Sequence, residues 1–181
     1  MRSELEKNYF ELFGLSPQFT VDLPDLATRF RELQKKFHPD KFARSSDSER
    51  RMASQMAAQI NAAYQSLKSP LERGRYLLKM SGIELDDEKD TQMNPVFLIE
   101  QMELREQLES VTDSTDPHGF LTQLETEIGQ AVNTRITELE DLFSAADEEQ
   151  LLQARNLLRE MQFLEKLRKE IERKEDEFVQ E

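Results

Sequence analysis

Residues 23–45 read LPDLATRFRELQKKFHPDKFARS. Leu23, Leu26, Phe30, Leu33 and Phe37 step by three, four, three and four, which draws one apolar stripe along an α-helix. The stripe stops at His38-Pro39, because proline disfavours helical backbone in the residue before it. Ser46 and Glu49 then have capping-box spacing, in which each side chain can satisfy a backbone N–H of the other. Beyond them Met52, Met56, Ile60, Ala63 and Leu67 mark a second stripe, on a helix running to about Lys68. Two amphipathic helices joined by a short polar loop predict an antiparallel pair with His38 to about Ser45 at its tip. Upstream, Tyr9, Phe10, Leu12, Phe13 and Leu15 supply a short apolar lead-in helix.

The rest of the chain is also helical in pattern. Glycine and proline are few, five and six in 181 residues, and no run alternates long enough for a sheet, so the fold class is all-α. Ser69-Pro70, Asn94-Pro95 and Asp116-Pro117 each put a capping side chain before a proline and mark three helix starts. Ile83 to Met93 is acidic and irregular and reads as a linker. It separates regions of opposite charge: residues 1–80 carry 14 basic and 10 acidic side chains, net +4, and residues 81–181 carry 10 and 27, net −17. The expected organisation is therefore a domain over 1–80, a linker over 81–94 and a second domain over 95–181. In the latter, helical patterns at about 95–112, 117–143 (Leu121, Leu124, Ile128, Val132, Ile136, Leu139) and 147–178 (Leu157, Met161, Leu164, Ile171), with short connections, predict an antiparallel three-helix bundle. Glu170 to Glu181 reads as a solvated last helix end.

Composition removes several function classes. With no cysteine, disulfides, thiolate metal sites, cysteine-ligated iron–sulfur clusters and cysteine nucleophiles are excluded. Two histidines exclude a histidine-rich metal site, and an all-carboxylate site for a hard cation stays formally open although no D-x-D-x-D-G cation loop occurs; neither metal nor cofactor is expected. His118 reads as part of a helix start, leaving only His38 for a catalytic triad, which argues against an enzyme. No run approaches the roughly 20 apolar residues of a membrane span, and MRSELEKNYF lacks an apolar signal core, so a cytoplasmic chain without membrane attachment is expected. The net charge of −17 on the C-terminal half opposes phosphate, which argues against a nucleic-acid partner.

Two surfaces are singled out. Proline fixes its own backbone and restricts its predecessor, so His38-Pro39-Asp40, followed by Lys41, makes a stiff polar tip suited to recognition. Arg29, Arg31, Lys35 and Lys36 lie outside the apolar stripe and make the preceding helix basic. On the helix from Pro95, counting about 100° per residue clusters Phe97, Leu104, Leu108 and Val111 on one side, as bundle core. Leu98, Ile99 and Met102 fall on a second apolar face continued by Glu103 and Glu106, which a small bundle cannot easily bury as well. Phe163 lies to one side of its own helix's stripe, although Leu167 sits between, which weakens its reading as a surface aromatic.

The lead-in NYFELFGL, the helix LATRFRELQKKF, the loop HPDK and the following INAAYQSL resemble the J domain of DnaJ-type co-chaperones. SPLERGRYLL and FLIEQMELREQL extend the resemblance over essentially the whole chain to the HscB branch, the J-type co-chaperones of iron–sulfur cluster assembly. The glycine/phenylalanine-rich linker and cysteine-rich region of DnaJ are missing, as is the cysteine-rich N-terminal extension of some HscB relatives. The resemblance implies that His38, Pro39, Asp40 and the basic helix engage a DnaK-type ATPase, HscA, and stimulate it. It further implies that Leu98, Ile99, Met102, Glu103, Glu106 and Phe163 hold the scaffold protein IscU. Ser110 stands where the family pattern has an acid, which puts one rim contact in doubt. The alternative is a general co-chaperone delivering unfolded clients.

Overall fold

The computed structural model describes residues 6–83, 85, 94–145 and 147–179. The chain divides into two compact units, Met1–Met80 and Ser81–Glu181. Most of the expected linker, 84 and 86–93, lies outside the described residues. The secondary structure is helical, with no strand among the described residues.

In the N-terminal unit, α1 (Tyr9–Phe13) opens on a capping box between Asn8 and Glu11 and ends at Gly14, whose φ of 64° suits a residue without a side chain. Helix α2 (Leu23–Lys36) starts from the Asp22 side chain, and α3 (Asp47–Lys68) from the Ser46–Glu49 capping box. The two bonds from Ser46 hold the Glu49 carboxyl below its ordinary pKa. Phe30 stacks on Tyr64 at 4.0 Å, and Gln34 donates to Asn61 at 3.2 Å. Partners that fall on one chain as they rise on the other make α2 and α3 antiparallel. Phe10, Leu12, Phe13, Leu26, Met56, Ile60, Ala63 and Leu67 are buried in this unit. Leu23 and Met52, expected on the stripes, are exposed instead, because each sits in the first helical turn or two, at an end of the pair where the opposing helix offers little cover.

Helix α4 (Pro70–Met80) closes the unit and explains much of SPLERGRYLL. Buried Arg73 donates to the Leu67 carbonyl at 2.6 Å, one of the acceptors left over at the end of α3, and lies over the Phe19 ring. Tyr76 stacks on Tyr9 at 4.3 Å, and its hydroxyl accepts the Tyr9 N–H. Burial pushes the pKa of that hydroxyl up.

The second unit contains α5 (Pro95–Ser110), α6 (Pro117–Ala145) and α7 (Glu148–Val179). All three proline-marked starts are helix starts. Asp116 accepts the Gly119 N–H at 3.0 Å, and a side chain at Gly119 would collide with that carboxylate. Arg135 on α6 pairs with Glu160 on α7, and Glu125 with Arg168, so these helices run antiparallel. The core contains Phe97, Leu104, Leu108, Leu121, Leu124, Ile128, Leu139, Leu158, Met161, Leu164 and Ile171. Two expected core positions are only half-buried: Leu157, displaced by its neighbour Leu158, and Ile136, displaced by Arg135.

That arginine organises the bundle. Only 9% exposed, Arg135 donates to Glu160 at 2.9 Å, to Glu100 on α5 at 2.7 Å and to the Ala131 carbonyl, and its guanidinium lies 5.0 Å from the Phe97 ring. Burial pushes the Glu160 carboxyl above the ordinary carboxylate range, the Arg135 bond opposing it and Glu100 and Glu138 adding to it.

Candidate interaction sites

At the tip of the α2–α3 pair, the loop is wound into a single 3-10 turn, Pro39–Phe42. His38 caps it: its Nδ1 accepts the Asp40 N–H at 3.3 Å, and its carbonyl accepts the Lys41 N–H at 3.0 Å. Further turns satisfy the N–H groups of Ala43 and Ser45. The tip thus holds itself in shape, and the Asp40 side chain, 91% exposed, projects from it.

The basic side chains divide between two faces. Arg31, Lys35, His38 and Lys41, with Gln34, line one groove beside the tip, and the Asp40 carboxylate lies 3.6 Å from the His38 ring at its edge. Arg29 and Lys36 lie in a separate recess with Lys7, Glu11 and Glu32. Arg29 is engaged in holding the unit together: it pairs with Asp25 at 2.8 Å and donates to the carbonyls of Phe13 and Gly14 at 2.9 and 3.2 Å. It therefore secures the end of α1 against α2. The helix turn accounts for the split, since 29 and 36 are nearly in register while 31 and 35 lie roughly 200° and 240° from position 29.

In the second unit, α5 presents two opposed apolar faces. Phe97, Leu104, Leu108 and Val111 are buried, whereas Leu98, Ile99 and Met102 are exposed, Met102 at 72%. Glu103 and Glu106 are exposed beside them. Phe163 is half-buried. Its ring meets Phe97 edge-on at 5.8 Å, and the Arg105 guanidinium lies 5.3 Å from it. Arg105 is also 3.9 Å from Glu170. Phe163 is thus an aromatic with one face engaged by the bundle, bordering the α5 surface. Val96, also 72% exposed, was not singled out from sequence; position 96 is one helical turn before Ile99, a relation that the same angular count contains. Arg135 was missed because a charged residue breaks an apolar pattern.

A helical hairpin with a His-Pro-Asp tip, followed by a three-helix bundle, defines a J-domain co-chaperone. Residues 93–172 match the family model described as the HSCB C-terminal oligomerisation domain. The chain is 46% identical over 172 residues to the co-chaperone protein HscB homolog of Vibrio cholerae, covering 95% of this chain and 99% of that protein. The structure of chaperone HscB from Vibrio cholerae is similar, with a TM-score of 0.83 at 45% identity over 95% of this chain and 99% of that one. Human co-chaperone HscB gives 0.84 at 28% identity, over 94% of this chain and 83% of that one. The chain belongs to the HscB co-chaperone family. Among the described residues no helix is long and apolar enough to cross a membrane, and no three His, Asp or Glu side chains are grouped to hold a metal ion.

Proposed function

We propose that the protein is a cytoplasmic adaptor that stimulates the ATPase of a DnaK-type chaperone, HscA, and delivers to it the iron–sulfur scaffold protein IscU. The chemistry belongs to the chaperone. Asp40 is a recognition carboxylate for a cation on the ATPase, and the groove of Arg31, Lys35, His38 and Lys41 receives acidic groups beside it. Arg29 serves this surface indirectly by fixing α2 to α1. Lys36, on the recess side with its ammonium 5.0 Å from the Phe37 ring, takes a secondary part. Leu98, Ile99 and Met102, with Glu103, Glu106 and the half-buried Phe163, form the face for the scaffold.

The observation that carries this reading is the pair of exposures on separate units: a self-braced acidic tip flanked by cations on one, and an apolar α5 face opposite its own core on the other. Asp40→Asn is expected to abolish ATPase stimulation and leave IscU binding at the wild-type level. The combined Leu98→Ala, Met102→Ala, Phe163→Ala variant is expected to lose IscU binding and keep basal stimulation. If either folded variant loses both activities, the two-site reading fails.

A further inference from the structure

Helix α5 carries one basic residue, Arg105, among Glu100, Glu103, Glu106 and Glu109. Counting about 100° per residue places it roughly 80° from Phe97, at the margin between the buried and the exposed side of the helix. Glu109 stands one turn further along the same helix, yet the guanidinium reaches across to α7. It lies over the Phe163 ring, 5.3 Å from the centroid, and 3.9 Å from the Glu170 carboxylate. Phe163 and Glu170 are seven residues apart, two turns along nearly one line of α7, at a spacing of about 10 Å. A single arginine spans both.

The bundle grips Phe163 from one side. The residue is half-buried, and the buried Phe97 ring meets it edge-on, 5.8 Å away. A ring held only there keeps some freedom to turn, and freedom lost on binding weakens binding. A guanidinium over the ring restricts it beforehand, and their attraction grows as both lose water under a partner. Arg105 and Glu170 are both solvent-accessible, with side chains 54% and 36% exposed, so neither belongs to the bundle core.

We infer that Arg105 is a positioning residue for Phe163. Clamped between Phe97 and a guanidinium that Glu170 holds in place, the ring is fixed in the orientation in which it meets the scaffold. This rests on the α5 face and Phe163 being the scaffold site. Arg105 acts through the ring, so removing it loosens Phe163 without unfolding α5 and without taking away any of the exposed apolar residues.

The test is the affinity of the full chain for IscU, by calorimetry, for Arg105→Met, Arg105→Lys, Phe163→Ala, Arg105→Met/Phe163→Ala and Leu98→Ala/Met102→Ala, with helical circular dichroism as the check on folding. Arg105→Met keeps a long stem and removes the cation. It is expected to weaken binding about fivefold when Phe163 is present and to add nothing once Phe163 is alanine. Arg105→Lys is expected to recover part of the loss, since it returns the charge without the planar group that stacks. In the free chain, which has no tryptophan, Phe163→Trp supplies a single reporter, and its fluorescence anisotropy is expected to fall when Arg105→Met is added. Wild-type affinity in Arg105→Met, with binding weakened by Phe163→Ala and by Leu98→Ala/Met102→Ala, overturns the positioning role alone. An equal loss with and without Phe163 overturns it too, because the guanidinium then touches the scaffold itself, and so does an unchanged anisotropy. Tighter binding by Arg105→Met overturns it as well, because the arginine then covers the ring that it was assigned to present. Wild-type affinity in both Phe163→Ala and Leu98→Ala/Met102→Ala overturns the scaffold site itself.

Discussion

Replacing Arg135 by methionine removes the cation that ties three helices together while keeping a long apolar stem. Two carboxylates are left behind. Glu160 has a side chain only 10% exposed and bears most of the cost, while Glu100, at 33%, regains part of its hydration. Breaking a buried pair by removing one partner costs about 3–5 kcal/mol, and solvent access at Glu100 places this case near 3. For a unit of this size that is a midpoint drop of about 12 °C or more. All three tyrosines, Tyr9, Tyr64 and Tyr76, lie in the N-terminal unit, so tyrosine fluorescence follows that unit and helical circular dichroism follows both. Urea or thermal unfolding should show the dichroism transition moved and the tyrosine transition little changed. Adding Glu160→Met to Arg135→Met should recover much of the loss, because an apolar replacement of a whole buried pair is often neutral or better. A loss below about 1 kcal/mol in the single variant would refute the idea that Arg135 holds the bundle together.

Other consequences follow from the same contacts. Glu160 has its pKa raised by burial, so the folded state keeps a proton that the unfolded chain has released; its stabilising contribution is complete below the ordinary carboxylate value near 4.5 and is lost as pH rises through the raised value. The stability of wild type relative to Glu160→Gln should therefore decline with rising pH across that window, and a flat difference in urea unfolding would contradict the assignment. Arg29→Ala should destabilise the N-terminal unit by about 1 kcal/mol, read by tyrosine fluorescence, whereas Lys35→Ala should leave its stability unchanged and slow association with HscA in a salt-dependent way. Tyr76→Phe should keep the stack on Tyr9 and cost about 1 kcal/mol for the acceptor withdrawn from the Tyr9 N–H.

The helices were readable because their signals are local. Asn94-Pro95 and Asp116-Pro117 place helix starts at the correct residue, and Ser46 and Glu49 form the box their spacing announces. Burial was less legible. Leu23 and Met52 obey the right period and are exposed, since a stripe continues past the point where its partner helix ends. Arg135 and Arg73 were invisible as interior residues, because burial of a charge depends on carboxylates, carbonyls and rings brought in from other helices. The two candidate surfaces divide in the same way. Angular counting separates the exposed α5 residues from the core with no error among Phe97, Leu98, Ile99, Met102, Leu104, Leu108 and Val111. The single basic helix face drawn from Arg29, Arg31, Lys35 and Lys36 divides into two, and only the packing of the α1 end against α2 within the N-terminal unit reveals that Arg29 is bound to the carbonyls of Phe13 and Gly14.

The central claim joins the two surfaces in one activity, and single-turnover ATP hydrolysis by HscA tests it most directly, with wild-type protein and with Asp40→Asn, each in the presence and absence of IscU. The account predicts stimulation by the wild type that IscU enhances and that Asp40→Asn lacks under both conditions. Stimulation indifferent to IscU would point to a general co-chaperone, and stimulation that survives Asp40→Asn would contradict the role of the tip.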